Sequence, residues 1–246
     1  MIDLPLGLVL ANVVVALATF IQASSGIGFA MIAVPLLALI DLSYVPGPSL
    51  FAMLGLSITM AWSARRAIDR QGLASLIPGL AIGTLIGALA LGAIPASAVS
   101  LVFGTMVLLG LLSSEVGLVR GPSPLGYSLA GVIAGLMGTM AGIHGPALAV
   151  IYRRVDMRTA RATIALIFVI ASVMSLLSLH RNGLFGEAEI RAGLWLIPGL
   201  VAGYGFARGM ERSITDRVAR CLMVWLAGSS ALGLIAKSLW PMIMQE

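Results

Sequence analysis

The chain has one cysteine, Cys221, two histidines, and only 10% charged residues among its 246. A lone cysteine excludes an intrachain disulfide and a cysteine-based metal site. So little charge excludes a soluble globular domain, where about a quarter of residues are ionisable. Aromatics are scarce too, at 6%, and no aromatic platform or extended basic face accompanies the formal charge of +5, which removes nucleic acid as a partner. The alternating strands of about ten residues that build a membrane barrel are missing. No basic run stands between Met1-Ile2-Asp3 and the first apolar stretch, so a cleaved signal peptide is not expected. No Asp or Glu lies deep in an apolar segment, since Asp41 and Glu115 both stand near ends.

What is present is hydrophobicity: 59% of residues, with a mean hydropathy of +1.05. Apolar stretches run over roughly 4–40, 47–64, 73–94, 97–119, 125–152, 162–179, 192–207 and 218–236. Most reach the ~20 residues that a bilayer-crossing helix needs. Long runs of Leu, Ala, Met and Gly satisfy their backbone groups within one segment only as helices. The expectation is an all-α polytopic membrane protein. Fourteen of the fifteen basic residues are arginines, held in short loops. Arg65, Arg66 and Arg70 form one group, Arg153, Arg154, Arg158 and Arg161 a second, and Arg208, Arg212, Arg217 and Arg220 a third. The positive-inside rule places these groups in the cytoplasm and the loops at 41–46 and 94–96, which have no Lys or Arg, outside.

The two halves repeat. Gly26-Ile27 with Ala33-Val34 matches Gly142-Ile143 with Ala149-Val150 at a shift of 116 (142 − 26), and Arg65 falls on Arg181. Ile77-Pro78-Gly79-Leu80 with Gly83 matches Ile197-Pro198-Gly199-Leu200 with Gly203 at 120 (198 − 78), which leaves four extra residues near Gly186 to Arg191. Two matches in order at nearly equal shifts point to a duplication, with repeats over 1–122 and 123–246. The loop at 65–71 is basic while its counterpart at 180–191 sets Arg181 and Arg191 against Glu187 and Glu189. The loop at 41–46 has no basic residue while its counterpart at 153–161 has four. The halves therefore point opposite ways, the inverted topology of secondary transporters, whose sites lie near the midplane between broken helices.

Counting crossings makes segment 125–152 start and finish on one side, since Arg120 and the 153–161 loop are both inside. The opening stretch of about 36 residues would be about 54 Å of helix, too long for one crossing of a ~30 Å core. Each is read as a broken or re-entrant hairpin followed by three transmembrane helices, about six full spans and two hairpins in all. The tips are "ASSGIG" at 23–28 and "MAGIHG" at 140–145. Non-helical backbone at that depth must be buried in protein or line a wet cavity. Ser24 or Ser25 is placed to cap a helix beginning near Ile27, and Pro146 suits a first turn. Helix N-termini bind anions, and glycine lets backbone approach a ligand.

At "GIGFAMIAVPLLAL" (26–39), "ARRAID" (64–69), "IPGLAIGTLIGA" (77–88) and "GLMGTMAGIHGPALAV" (135–150) the chain resembles the TauE/SafE family of bacterial inner-membrane proteins. The resemblance covers essentially the whole length. It implies two similar halves, each opening on a Gly-rich segment followed by proline, and export of sulfite or sulfonates. This sequence departs from the family's Gly-Gly-Gly run: Phe29 and Ala30 follow Gly28, and the second copy reads Ile143-His144-Gly145-Pro146. An altered tip suits a bulkier sulfonate or carboxylate.

The residues expected to bind substrate are Gln22, Ser24, Ser25, Gly26, Gly28, Thr139, Gly142, His144 and Gly145. The glycines serve equally for close helix packing. Gln22 and Thr139 also suit the satisfaction of broken backbone. His144, an ionisable group in an apolar stretch, is the candidate for coupling a proton, against a plain role as a neutral ring bonded to a carbonyl. No catalytic residue, metal site or cofactor is expected. The expected partners are a small anion and the lipid bilayer, with a homodimer left open. Two rival functions stay on the table: a passive anion channel, and an intramembrane hydrolase pairing Ser24 or Ser25 with His144, which lacks a third orienting residue and a Gly-x-Ser-x-Gly elbow.

Overall fold

The computed structural model describes residues 4–116, 123–209 and 216–243. Met1 to Asp3, Arg120, Arg212 and the repeat boundary at 122 lie outside the described residues, as do the side chains of Glu115, Arg217 and Arg220. The chain forms helices α1 (Leu4–Ser25), α2 (Phe29–Ile40), α3 (Gly47–Ala64), α4 (Arg70–Ala93), α5 (Val99–Val116), α6 (Pro124–Ala141), α7 (Gly145–Ile151), α8 (Met157–Arg181), α9 (Glu187–Trp195), α10 (Ile197–Gly209) and α11 (Asp216–Ile243). Among the described residues there is no strand.

Local sequence accounts for the boundaries. Asp69, Ser123 and Asp156 stand just ahead of α4, α6 and α8, and their side chains accept from the backbone N–H groups of Gly72, Gly126 and Thr159. Pro124 then begins α6, where its missing N–H has no partner to lose. The polar knots at 26–28 and 142–144 do end helices. Gly26 (φ +89°) and Gly142 (φ +77°) adopt the left-handed conformation that glycine takes without a Cβ penalty. Their N–H groups bond back to Gln22 O at 2.7 Å and Gly138 O at 2.8 Å.

Among the described residues six helical segments are long and apolar enough to cross a membrane: Leu6–Ser25, Arg70–Ala93, Pro124–Ala141, Met157–Arg181, Glu187–Gly209, which joins α9 and α10, and Cys221–Leu239. Six full spans were expected, but the set differs. The first arm of each hairpin, α1 and α6, is itself long enough to cross, whereas two expected spans are not among the six: 47–64, diluted by Gly47, Pro48, Ser49, Ser57, Thr59 and Ser63, and 97–119, whose described apolar helix, Val99–Leu112, is shorter. The return arms are short, 12 residues in α2 and 7 in α7, or about 18 Å and about 10 Å of helix.

At the centre α3 and α8 run antiparallel. Gly47, at the start of α3, lies against the Phe185 ring just beyond α8, while Asp69 N donates to Thr163 Oγ1 at 2.9 Å near the start of α8. The loop at 65–69 and that at 152–156 thus share one end, and the loop at 41–46 lies at the other. The second hairpin stands on the Asp69 end: Tyr127, in its first turn, donates to Asp69 Oδ2 at 3.2 Å and packs at a tilt against Tyr152 at its far end, ring centroids 5.5 Å apart. The first hairpin stands on the opposite end, where α2 leads into the 42–44 turn packed on α9.

Two helix pairs lock the long arms in place, α4 on α6 and α10 on α1. Gly79 and Gly83 of α4 sit directly against the carbonyls of Ser128 and Val132, and Gly199 and Gly203 of α10 sit against those of Asn12 and Ala16, so none of the four has room for a side chain. Asn12 goes further. Its Oδ1 accepts from Gly199 N at 2.7 Å and its Nδ2 donates to Trp195 O at 2.9 Å, so the side-chain amide inserts where the helix would make its own bond. This insertion, with Pro198 unable to donate, separates α9 from α10. In α4 the matching Pro78 leaves the helix continuous, and Ser128 Oγ donates to Ser75 O at 2.7 Å without opening it.

Outward faces are apolar. Leu6, Val9, Val13 and Leu17 form one stripe along α1, and Ile82, Leu85 and Leu89 form another along α4. A contiguous greasy exterior of this kind suits lipid, not water.

Candidate functional site

The two breaks come together in the interior. Gln22, Ile27 and Gly28 of the first and His144 and Gly145 of the second line one small cavity, closed by Met31, Met53 and Phe168. Its volume is about 10 Å³, room for about one water molecule. In this conformation no oxyanion fits.

Two polar atoms at this cavity's walls are buried without a partner: Gln22 Nε2 and His144 Nδ1. Gln22 is 1% exposed, and its Oε1 accepts from Phe29 N at 3.0 Å, which leaves its amide donors unused. His144 is fully buried beside Phe168, ring centroids 6.3 Å apart, and its Nε2 lies 3.4 Å from Ser175 Oγ. Ser175 Oγ is in turn 2.7 Å from Thr139 Oγ1. Buried polar atoms without partners carry a free-energy penalty that a ligand hydrogen-bonded to them would relieve.

The two tips carry opposite residue sizes at matched positions. At the 116-residue shift Gln22 corresponds to Gly138 and Gly28 to His144 (138 − 22 and 144 − 28). In the first tip the long arm supplies the large side chain and the break is glycine. In the second the long arm is glycine and the break supplies the large side chain, with the His144 ring in the space that a Gly138 Cβ would fill. Gly28, at φ +135°, has a backbone conformation that a histidine there would rarely adopt.

The other expected residues divide. Ser24 and Ser25 do not cap the following helix, which corrects the expectation from sequence. Ser24 Oγ donates to Phe20 O at 2.8 Å, and Ser25 Oγ is shared between Ile21 O at 2.7 Å and Ile27 O at 2.6 Å. As hydroxyls in the last turn of α1, they bond back to their own helix, and Gln22 takes the cap instead. The hydroxyl beside the histidine is that of Ser175, which leaves the Ser24 or Ser25 pairing of a hydrolase without geometric support. Gly142 packs on Val34, Ser49 and Leu50, and neither it nor Ser24 lines the cavity. Thr139 stands one layer behind, reaching His144 through Ser175.

Ser25 and Gly26 belong to a second, half-open pocket of about 140 Å³, shared with Tyr152 and Arg161. Sequence reasoning treated Arg161 as a topology marker alone. The available signal was its position as the last of four arginines, nearest the apolar run: Arg153, Arg154 and Arg158 are exposed, while Arg161 is half-buried. Asp69 was likewise missed. It was counted within a basic loop, yet its carboxylate accepts from Gly72 N and Tyr127 and borders a further pocket of about 220 Å³.

Residues 11–234 match the sulfite exporter TauE/SafE family. No curated protein and no solved structure matches the chain.

Proposed function

The chain belongs to the sulfite exporter TauE/SafE family, and on that premise we propose that it is a secondary transporter of the bacterial inner membrane that exports a small anion. The substrate class is sulfite, a sulfonate, or another organosulfur or carboxylate anion. It binds between the hairpin tips near the midplane, with Gln22 Nε2 and a ring N–H of His144 donating to its oxygens. The single observation that carries this reading is the pair of buried nitrogens without a hydrogen-bond partner, Gln22 Nε2 and His144 Nδ1, on residues of both tips that line one cavity.

The proposal includes two inverted repeats, 1–122 and 123–246, that alternately expose the site. Several contacts support it. Gly79 on Ser128 and Gly83 on Val132 map onto Gly199 on Asn12 and Gly203 on Ala16 by the same two shifts found in the sequence. The bonds from Ser128 to Ser75 O and from Asn12 to Trp195 O map likewise. The hairpins stand on opposite ends of the α3–α8 pair, as an inverted repeat requires. A cavity closed to about the size of one water supports a carrier over an open pore.

The test is uptake into proteoliposomes of labelled sulfite, thiosulfate, sulfoacetate and a short carboxylate, with and without a pH gradient, for wild type and His144→Ala. Saturable flux of one anion that loses its pH dependence in the variant supports a proton-coupled carrier with His144 in the site. Saturable flux indifferent to the gradient in both proteins keeps the carrier and removes the proton from His144. Absence of flux for all four anions overturns the proposal.

A further inference from the structure

The hydrogen bonds behind the His144 ring decide which of its two nitrogens carries the proton. Thr139 Oγ1 lies 2.7 Å from Ser175 Oγ, and Ser175 Oγ lies 3.4 Å from His144 Nε2. All three residues are fully buried. Thr59, Thr105 and Thr163 donate their hydroxyls to the carbonyl one turn back, as helical threonines commonly do. Among the described residues, Thr139 and Ser175 have only each other and the ring.

The path from Thr139 through Ser175 to Nε2 has two links. With a neutral ring protonated at Nδ1, two hydroxyl hydrogens fill them: Thr139 donates to Ser175, and Ser175 donates to Nε2. With the ring protonated at Nε2, three hydrogens compete for two links, and one is left in the interior without an acceptor. The nitrogen that the hydroxyl does not bond is thereby set as the N–H. The Cδ2–Nε2 edge of the ring is nearest Gly138, which puts Nδ1 at the far corner, where it has no partner. The first tip orients its amide by a comparable bond. Phe29 N donates to Gln22 Oε1 at 3.0 Å, so the unpartnered end is Nε2.

We propose that Thr139 and Ser175 are positioning residues that hold His144 as the Nδ1–H tautomer, so that both tips meet the ligand with N–H groups. The proposal rests on the carrier reading above and deepens it. Oxygens of sulfite, a sulfonate or a carboxylate accept from such a pair, whereas an ammonium group, which can only donate, is refused. Both nitrogens are buried in this conformation, so the anion reaches them only once the tips part.

The experiment is nitrogen NMR of the full chain, isotope-labelled at histidine, with concentration-dependent flux of labelled sulfite, thiosulfate, sulfoacetate and a short carboxylate measured on the same proteins in proteoliposomes. His180→Gln removes the other histidine signal and so assigns His144. The expected wild-type ring is protonated at Nδ1 and bare at Nε2. Thr139→Val removes the hydrogen that enters Ser175, and Ser175→Ala removes the bond to Nε2, so each lets the proton pass in part to Nε2. Apparent affinity falls with the fraction of competent protein, so KM should rise by the factor by which the Nδ1–H fraction falls, about three- to fivefold, with the maximal rate changed less than about twofold. Thr139→Ser keeps the hydroxyl and should keep both readouts at the wild-type value. A wild-type ring protonated at Nε2 overturns the proposal, and that result needs no variant to fold. A KM that rises while the tautomer stays put overturns it too, because it marks packing alone. Unmoved tautomer and KM in both Thr139→Val and Ser175→Ala overturn the positioning role and leave the carrier standing. A wild type that carries none of the four anions overturns the carrier reading and the positioning role with it.

Discussion

Placing one methyl group on Gly138 tests how the second tip is built. An alanine Cβ there would fall on the His144 imidazole, with ring Cγ at 2.6 Å and Cδ2 and Nε2 nearer still. Ordinary contact begins near 3.4 Å, so the ring must retreat by more than 1 Å. It has nowhere to go, because His144 is fully buried between Phe168 and the Ser175 hydroxyl. Overpacking of this kind costs about 1–3 kcal/mol. For a chain of this size each kcal/mol lowers the melting temperature by about 2–4 °C, so Gly138→Ala should melt roughly 2–12 °C below wild type. The assay is thermal unfolding of the purified protein in detergent. The double variant Gly138→Gln with His144→Gly rebuilds the order found in the first tip, Gln22 with Gly28, and should recover at least half of what Gly138→Gln alone loses, since the two positions share one space. Melting of Gly138→Ala within about 1 °C of wild type would refute the packing argument.

Other consequences follow from the same contacts. Gly79→Ala and Gly199→Ala each press a Cβ onto a facing backbone carbonyl, which cannot swing aside, so each should destabilise by about 1–3 kcal/mol and by similar amounts; thermal unfolding measures both, and a silent variant removes that contact from the account. Asp156 caps α8, and the Thr159 N–H that it accepts holds its carboxyl below the ordinary range. Its contribution is therefore present above the unfolded carboxylate pKa and lost as pH falls through the lowered folded value. Asparagine caps as well as aspartate but does not titrate, so Asp156→Asn should lose this acid-dependent component and keep its stability at neutral pH. Single cysteines in loops 41–46 and 153–161, in a Cys221→Ser background, should label from opposite sides of the membrane. Labelling from one side contradicts the inverted arrangement.

The sequence carried the breaks because they are local: glycine and serine interrupting an apolar run mark a helix end wherever the chain goes next. The same local reading chose the wrong cap at the first tip. It offered Ser24 and Ser25, the common capping types, but hydroxyls near the end of α1 bond back to their own helix, and the longer Gln22 reaches Phe29 across seven positions. The IPGL copies were legible as a repeat, while their different fates were not. The break between α9 and α10 depends on Asn12, 187 positions from Gly199, and no local pattern announces that bond. Asp69 and Arg161 were hidden for a related reason. Their neighbours in sequence are exposed arginines, and only contacts made through folding, such as Tyr127 on Asp69 and Gly26 beneath Arg161, set them apart.

The most direct test of the carrier claim is counterflow. Proteoliposomes loaded with unlabelled sulfite and diluted into a trace of labelled sulfite should accumulate label transiently above equilibrium in wild type, and should fail to do so in Gln22→Leu, which removes one of the two unpartnered buried nitrogens between the tips. Label that only rises to equilibrium in wild type would mark a passive pore. Undiminished overshoot in Gln22→Leu would place the anion somewhere other than between the tips.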